Sequence, residues 1–144
     1  MGDGGHTCTI LISNRQDLPA DQARLAELAT TVLEGEGVDR GELSVSFVTE
    51  EEMTDLHVRF MDLPGPTDVL SFPLNDVDEN GTHILGDVVI APAYAARNNP
   101  DLDSELRLLL VHGILHLLGH DHEEEDERAE MWALQERYTG VRVS

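Results

Sequence analysis

The chain contains no lysine: its nine basic residues are all arginines, set against 29 aspartates and glutamates for a formal net charge of -20. Such a surface repels nucleic acid at long range, so contact with a polyanion has to come from a local cleft. Cysteine is nearly missing too. Cys8 has no partner for an internal disulfide, which suits a reducing compartment and predicts a cytoplasmic protein. Aromatics make up only 4% of the residues, and they form no cluster on which single-stranded bases stack. The first residues lack the basic region and long apolar run of a signal peptide. The longest apolar stretch, about 106 to 118, is too short and too interrupted to cross a bilayer, so no membrane partner is expected. What is present is ordinary globular apolar content in a length that favours one domain, residues 1–144.

Periodicity divides the chain into alternating elements. "CTILIS" (8–13) reads as a short strand. In the segment after it, Leu25, Leu28, Ala29, Val32 and Leu33 recur at helical spacing. Pro19 suits the first turn of that helix, and Gly35 and Gly37 end it. "ELSVSFVT" (42–49) alternates Leu43, Val45 and Phe47 with serines, as a half-buried strand does. Thr49 and Glu52 form a capping box for a helix over about 50–60. "DLPGPTD" (62–68) is a loop. "VLSFPL" (69–74) and "HILGDVVIA" (83–91) pair as a hairpin through 75–81, and Pro73 puts the first at an edge or ends it early. A short helix is expected over 91–98, then a long one capped by Asp103 or Ser104 and running to about Leu118. A last acidic-led helix follows, with Met131 and Trp132 in the core. The whole predicts an α+β domain: a small mixed sheet with a hairpin, packed by about five helices.

The long helix is the unusual one. Between Leu106 and Leu118 its only polar side chains are Arg107, His112 and His116, so it reads as a central, buried helix. His112 and His116 are four apart and share one face. Two neutral imidazoles so placed can share a metal ion, which offsets the cost of burying their nitrogens. An uninterrupted helix would carry His122 about 9 Å further along the axis and off that face. Gly119 is the usual residue type for closing a helix, and a turn there lets His122 fold back as third ligand. His120 competes for the role but has less chain in which to swing round. The pattern H-x-x-x-H-x-x-G-x-x-H has metzincin spacing, with Gly113 where those proteases carry their glutamate general base. Three imidazoles leave a coordination position for water, a catalytic rather than a structural pattern. Zinc is the default ion, and nickel, copper or cobalt also accept imidazole.

"HGILHLLGHDH" (112–122) resembles the signature of the YbeY family, bacterial metal-dependent endoribonucleases of ribosomal RNA maturation. "LHVRFMDLPGPTDVLSFP" (56–73) and "LGDVVIAP" (85–92) resemble two further blocks of that family, in the same order. The resemblance covers about 43 to 136. It implies His112, His116 and His122 as ligands of one Zn2+ or other divalent ion, and Arg59 as the catalytic arginine. The family often has tyrosine where this chain has His120. On its own, Arg59 is a solvated cation near a helix end; the resemblance gives it a phosphate to bind and transition-state charge to neutralise. Asp68 and Ser71 carry turn and strand-start chemistry by default. Asp87 and Asp121 are candidates to orient a ligand histidine. The implied partners are single-stranded and ribosomal RNA, with a ribosome or ribosomal-protein partner. Two other readings stand beside this one: a metallopeptidase-like hydrolase, which Gly113 argues against, and a non-catalytic ribosome-assembly factor with a structural metal.

Overall fold

The computed structural model describes residues 7–120 and 124–140. Four strands form one sheet in the order β1-β2-β4-β3: β1 (Thr7–Asn14), β2 (Arg40–Phe47), β3 (Val69–Val77) and β4 (His83–Ile90). β1 runs parallel to β2 and β2 parallel to β4, while β3 pairs antiparallel with β4. The sheet is therefore mixed. The parallel pair β1–β2 is joined by a crossover helix, α1 (Gln22–Gly35), as parallel neighbours require. The other helices are α2 (Glu50–Met61), α3 (Pro92–Ala95), α4 (Leu102–Leu117) and α5 (Glu125–Thr139). The expected α+β architecture is what the chain adopts.

Alternation in β2 decides which face is which. Leu43, Val45 and Phe47 are fully buried and meet Leu85, Val88 and Ile90 of β4 in the main core, under α1, α4 and α5. A smaller core of Val48, Met53, Leu70, Val89 and Ala91, with Leu56 and Phe72 against it, ties α2 to the other face. α4 sits in the middle of the main layer, against α1, α5, α3, β3 and β4. Full burial of each leucine or isoleucine on it stabilises the fold by roughly 1.5–3 kcal/mol. No helix among the described residues is long and apolar enough to cross a membrane.

Several boundaries differ from expectation: β2 begins and ends two residues earlier, at Arg40 and Phe47, and α3 is confined to Pro92–Ala95. Pro19 lies ahead of α1, not in its first turn: the N-cap is Asp21, whose carboxylate accepts from the Arg24 amide. The cap of α4 is Asp101, because its two oxygens take both the amide and the hydroxyl of Ser104. β3 continues past Pro73 to Val77, because a register shift between Pro73 and Asp76 absorbs the proline without ending the pairing. The hairpin turn shortens accordingly. Asp78 closes it by accepting from the amides of Asn80 and Thr82. Pro73 does stand on an edge strand.

Candidate functional site

The end of α4 is shaped by Gly119. Its φ is +100°, its amide bonds to the His116 carbonyl at 3.1 Å, and the His120 amide bonds to the Leu115 carbonyl at 3.0 Å. That pair of bonds is a Schellman closure, and it stops the helix just past His116. The helix thus ends where the glycine predicts, leaving His112 and His116 on its final turns.

The two rings meet edge to face, with centroids 5.8 Å apart and planes at 75°. They form one wall of a cleft of about 380 Å³. The opposite wall is the start of β3 and the loop before it, including Asp68, Leu70, Ser71 and Pro73; α2 adds Met61. Asp68 is fixed from behind, since its carbonyl accepts from the Ala91 amide at 2.9 Å. Its negative charge reaches Glu105 in the first turn of α4. Burial, and then repulsion from Asp68, hold the Glu105 carboxyl above its usual range, against a hydrogen bond from Asn99.

The walls are drawn together at Gly113. Ser71 Oγ donates to the Gly113 carbonyl at 3.1 Å. A Cβ on Gly113 would meet Val88 Cγ1 at 2.7 Å and Ser71 Oγ at 3.3 Å. The position therefore has no room for the glutamate that the metzincin pattern carries there. Its glycine is what lets α4 lie directly on β3 and β4.

Not every candidate residue converges here. Arg59 lies in the last turn of α2, exposed, with its Nη2 3.3 Å from an Asp55 carboxylate oxygen. Asp87 does not face the His112–His116 pair: strand alternation turns Val88 towards Gly113 and Asp87 to the other face, where it lines a separate hollow with Arg15, Ser46 and Phe72. His120 is engaged elsewhere: its Nε2 lies 3.0 Å from Glu36 Oε1, a carboxylate oxygen that accepts from it, and Tyr138 donates to the other oxygen of Glu36 at 2.7 Å. His122 and Asp121 lie outside the described residues. Among the described residues no three histidine, cysteine or acidic side chains converge as a metal cluster. Met131 is fully buried as expected, whereas Trp132 on the adjacent side of α5 is 43% exposed and is not a core residue.

One contact had no forerunner in the sequence. Gln135 of α5 reaches His112, with Oε1 2.8 Å from Nδ1. Its only sequence signal is spacing: Gln135 lies four residues from both Met131 and Thr139, on the face of α5 that is buried.

The profile of the endoribonuclease YbeY family matches residues 11–140. The chain belongs to the endoribonuclease YbeY family. Its relatives span most of its length. The endoribonuclease YbeY of Thermobifida fusca is 49% identical, covering 88% of this chain and 89% of the relative. That of Mycolicibacterium gilvum is 43% identical over 88% of this chain and 79% of the relative. The solution structure of a Thermotoga maritima protein superposes with a TM-score of 0.57 at 30% identity, covering 92% of this chain and 87% of the other. In this YbeY-family chain the donor set suits a divalent transition metal. Two imidazoles on one face, one helical turn apart, border an open cleft, and neutral imidazole nitrogens suit zinc, copper, iron or nickel alike.

Proposed function

We propose that the chain is a single-strand-specific, metal-dependent endoribonuclease acting in ribosomal RNA maturation and quality control in the cytoplasm. The observation that carries this is the His112–His116 pair on a cleft faced by Asp68 and Ser71, in a chain of an endoribonuclease family. His112, His116 and His122 would hold one Zn2+ or similar ion. Bound there, the ion supplies Lewis acidity towards a phosphate oxygen and lowers the pKa of water.

The protein's own groups do the rest. Arg59 binds a phosphate by its forked guanidinium and neutralises charge as the phosphodiester bond breaks. Ser71 is a strut and not a nucleophile, because its hydroxyl proton is committed to the Gly113 carbonyl. The net charge of -20 keeps free RNA at a distance, which favours delivery by a ribosome or ribosomal-protein partner with basic patches. The packing at Gly113 argues against the peptidase reading, since no side chain there can act as base.

The test is cleavage of labelled single-stranded RNA by wild type, Arg59→Ala and His116→Ala, purified identically, with bound metal measured on each. Metal-dependent cutting lost in both variants supports the reading. Equal cutting by all three identifies a contaminant. No cutting by metal-loaded wild type, with ribosome maturation still dependent on the protein, favours the assembly-factor reading.

A further inference from the structure

Gln135 is 3% exposed, and a buried amide is costly unless it is hydrogen-bonded. Its setting is fixed on both sides. The Thr139 hydroxyl donates to the Gln135 backbone carbonyl at 2.6 Å, and Arg107 of α4 donates to the Thr139 carbonyl at 2.9 Å. Arg107 is itself held by Asp103 and Ser104. α5 is thus pinned to α4 at Arg107–Thr139 and again, one turn earlier on the same face of α5, at His112–Gln135.

We propose that Gln135 is a positioning residue that sets the tautomer of His112 and so presents Nε2 to the metal. An amide oxygen can only accept, so the Nδ1 it contacts must carry the hydrogen. A neutral imidazole has one N–H, so the lone pair then stands on Nε2, the ring atom further from the backbone. The reverse amide orientation would place an NH2 donor against Nδ1, put the hydrogen on Nε2, and block coordination there. Gln135 does this without a charge. A carboxylate at the same place would orient the ring too, but would add a buried anion beneath a site already flanked by Asp68. The proposal rests on the metal reading of the histidine pair.

Two readouts separate this role from simple packing. The first is the ring nitrogen spectrum of His112 in metal-free protein at mildly alkaline pH, assigned with His112→Ala. Wild type is expected as the Nδ1–H tautomer. Gln135→Met, similar in length but with no acceptor, is expected to shift His112 towards Nε2–H. The second is Zn2+ affinity by chelator competition. Gln135→Met is expected to weaken it by about 10- to 100-fold, and Gln135→Glu, which restores an acceptor, to recover most of that loss. If Gln135→Met does not fold, Gln135→Asn, too short for the contact, takes its place.

An Nε2–H tautomer in wild type would overturn the proposal. So would an unchanged tautomer or unchanged Zn2+ affinity in the folded variant. Wild type that binds no Zn2+ would instead sink the ligand reading of the pair, and the ring spectra would still decide whether Gln135 governs the tautomer.

Discussion

The backbone of Gly113 and the side chain of Val88 touch so closely that one added carbon would come within 2.7 Å of Val88 Cγ1. Val88 is buried and β-branched, so it has no free rotamer to retreat into. Gly113→Ala therefore sets overpacking of about 1–3 kcal/mol against a helix-propensity gain of about 1 kcal/mol. The expected result is a net loss of about 1 kcal/mol, seen as a melting temperature lower by roughly 3–4 °C. Pairing it with Val88→Ala should reverse the sign of the Gly113 change. A single Gly113→Ala variant that melts higher than wild type would refute the close approach.

Arg59 makes the opposite kind of prediction. Its ion pair with Asp55 is exposed at both ends, so Arg59→Ala should change stability by less than about 0.5 kcal/mol. Cleavage should fall by about 100- to 1,000-fold. Melting curves that match wild type alongside lost RNA cleavage would separate chemistry from folding. Undiminished cleavage would remove Arg59 from the machinery.

Glu105 gives a pH signature. Burial and the Asp68 charge raise its carboxyl pKa in the folded state, so folding favours the protonated form. The stability this contributes is present at acid pH and is lost as pH rises through the raised value. Glu105→Gln should therefore stabilise the protein at neutral pH, and the advantage should vanish below the ordinary carboxylate range. Because Glu105 is only part-buried, screening limits the gain to a few tenths of a kcal/mol. Denaturant midpoints at two pH values would show it, and an equal gain at both would contradict the repulsion.

Tyr138 should be visible in an alkaline titration. Burial first, then its hydrogen bond to Glu36, push its pKa up to about 12. Ultraviolet titration should contain one late phenolate step near that value, absent from Tyr138→Phe. The favoured state is the protonated one. Its contribution is full below the ordinary tyrosine value of about 10 and is lost as pH climbs through about 12. Wild type should accordingly lose stability over that window faster than Tyr138→Phe does.

The parts of this protein legible in its sequence are those carried by local chemistry. The alternation of Leu43, Val45 and Phe47, the Thr49 cap and the glycine after α4 each depend on a few neighbouring residues, and each appears as expected. What failed depends on which face of an element meets which neighbour. Asp87 looked like a partner for a histidine because it interrupts an apolar strand, yet strand parity with Val88 turns it to the opposite layer. Trp132 is expected in the core beside Met131, but α5 has charges around most of its circumference, and only the four-residue spacing of Met131, Gln135 and Thr139 marks its inner face. Gln135 was missed for the same reason: an amide among glutamates and arginines looks like surface until α4 is placed beside it. The role of Arg59 is a different case: it is implied by family likeness alone, and its place in the last turn of α2 beside Asp55 neither supports nor opposes it.

β3 has two duties at once. It is the wall that Asp68, Ser71 and Pro73 give to the cleft, and among the described residues it is also an unpaired margin of the sheet. A bare margin invites another chain to add a strand. Here Pro73, the adjoining register shift and Asn75 at a φ of +50° break the regular row of donors and acceptors that such a strand would need. The irregularity that a folding rule would count as a defect therefore acts as a guard: it discourages self-association along the border that also walls the cleft.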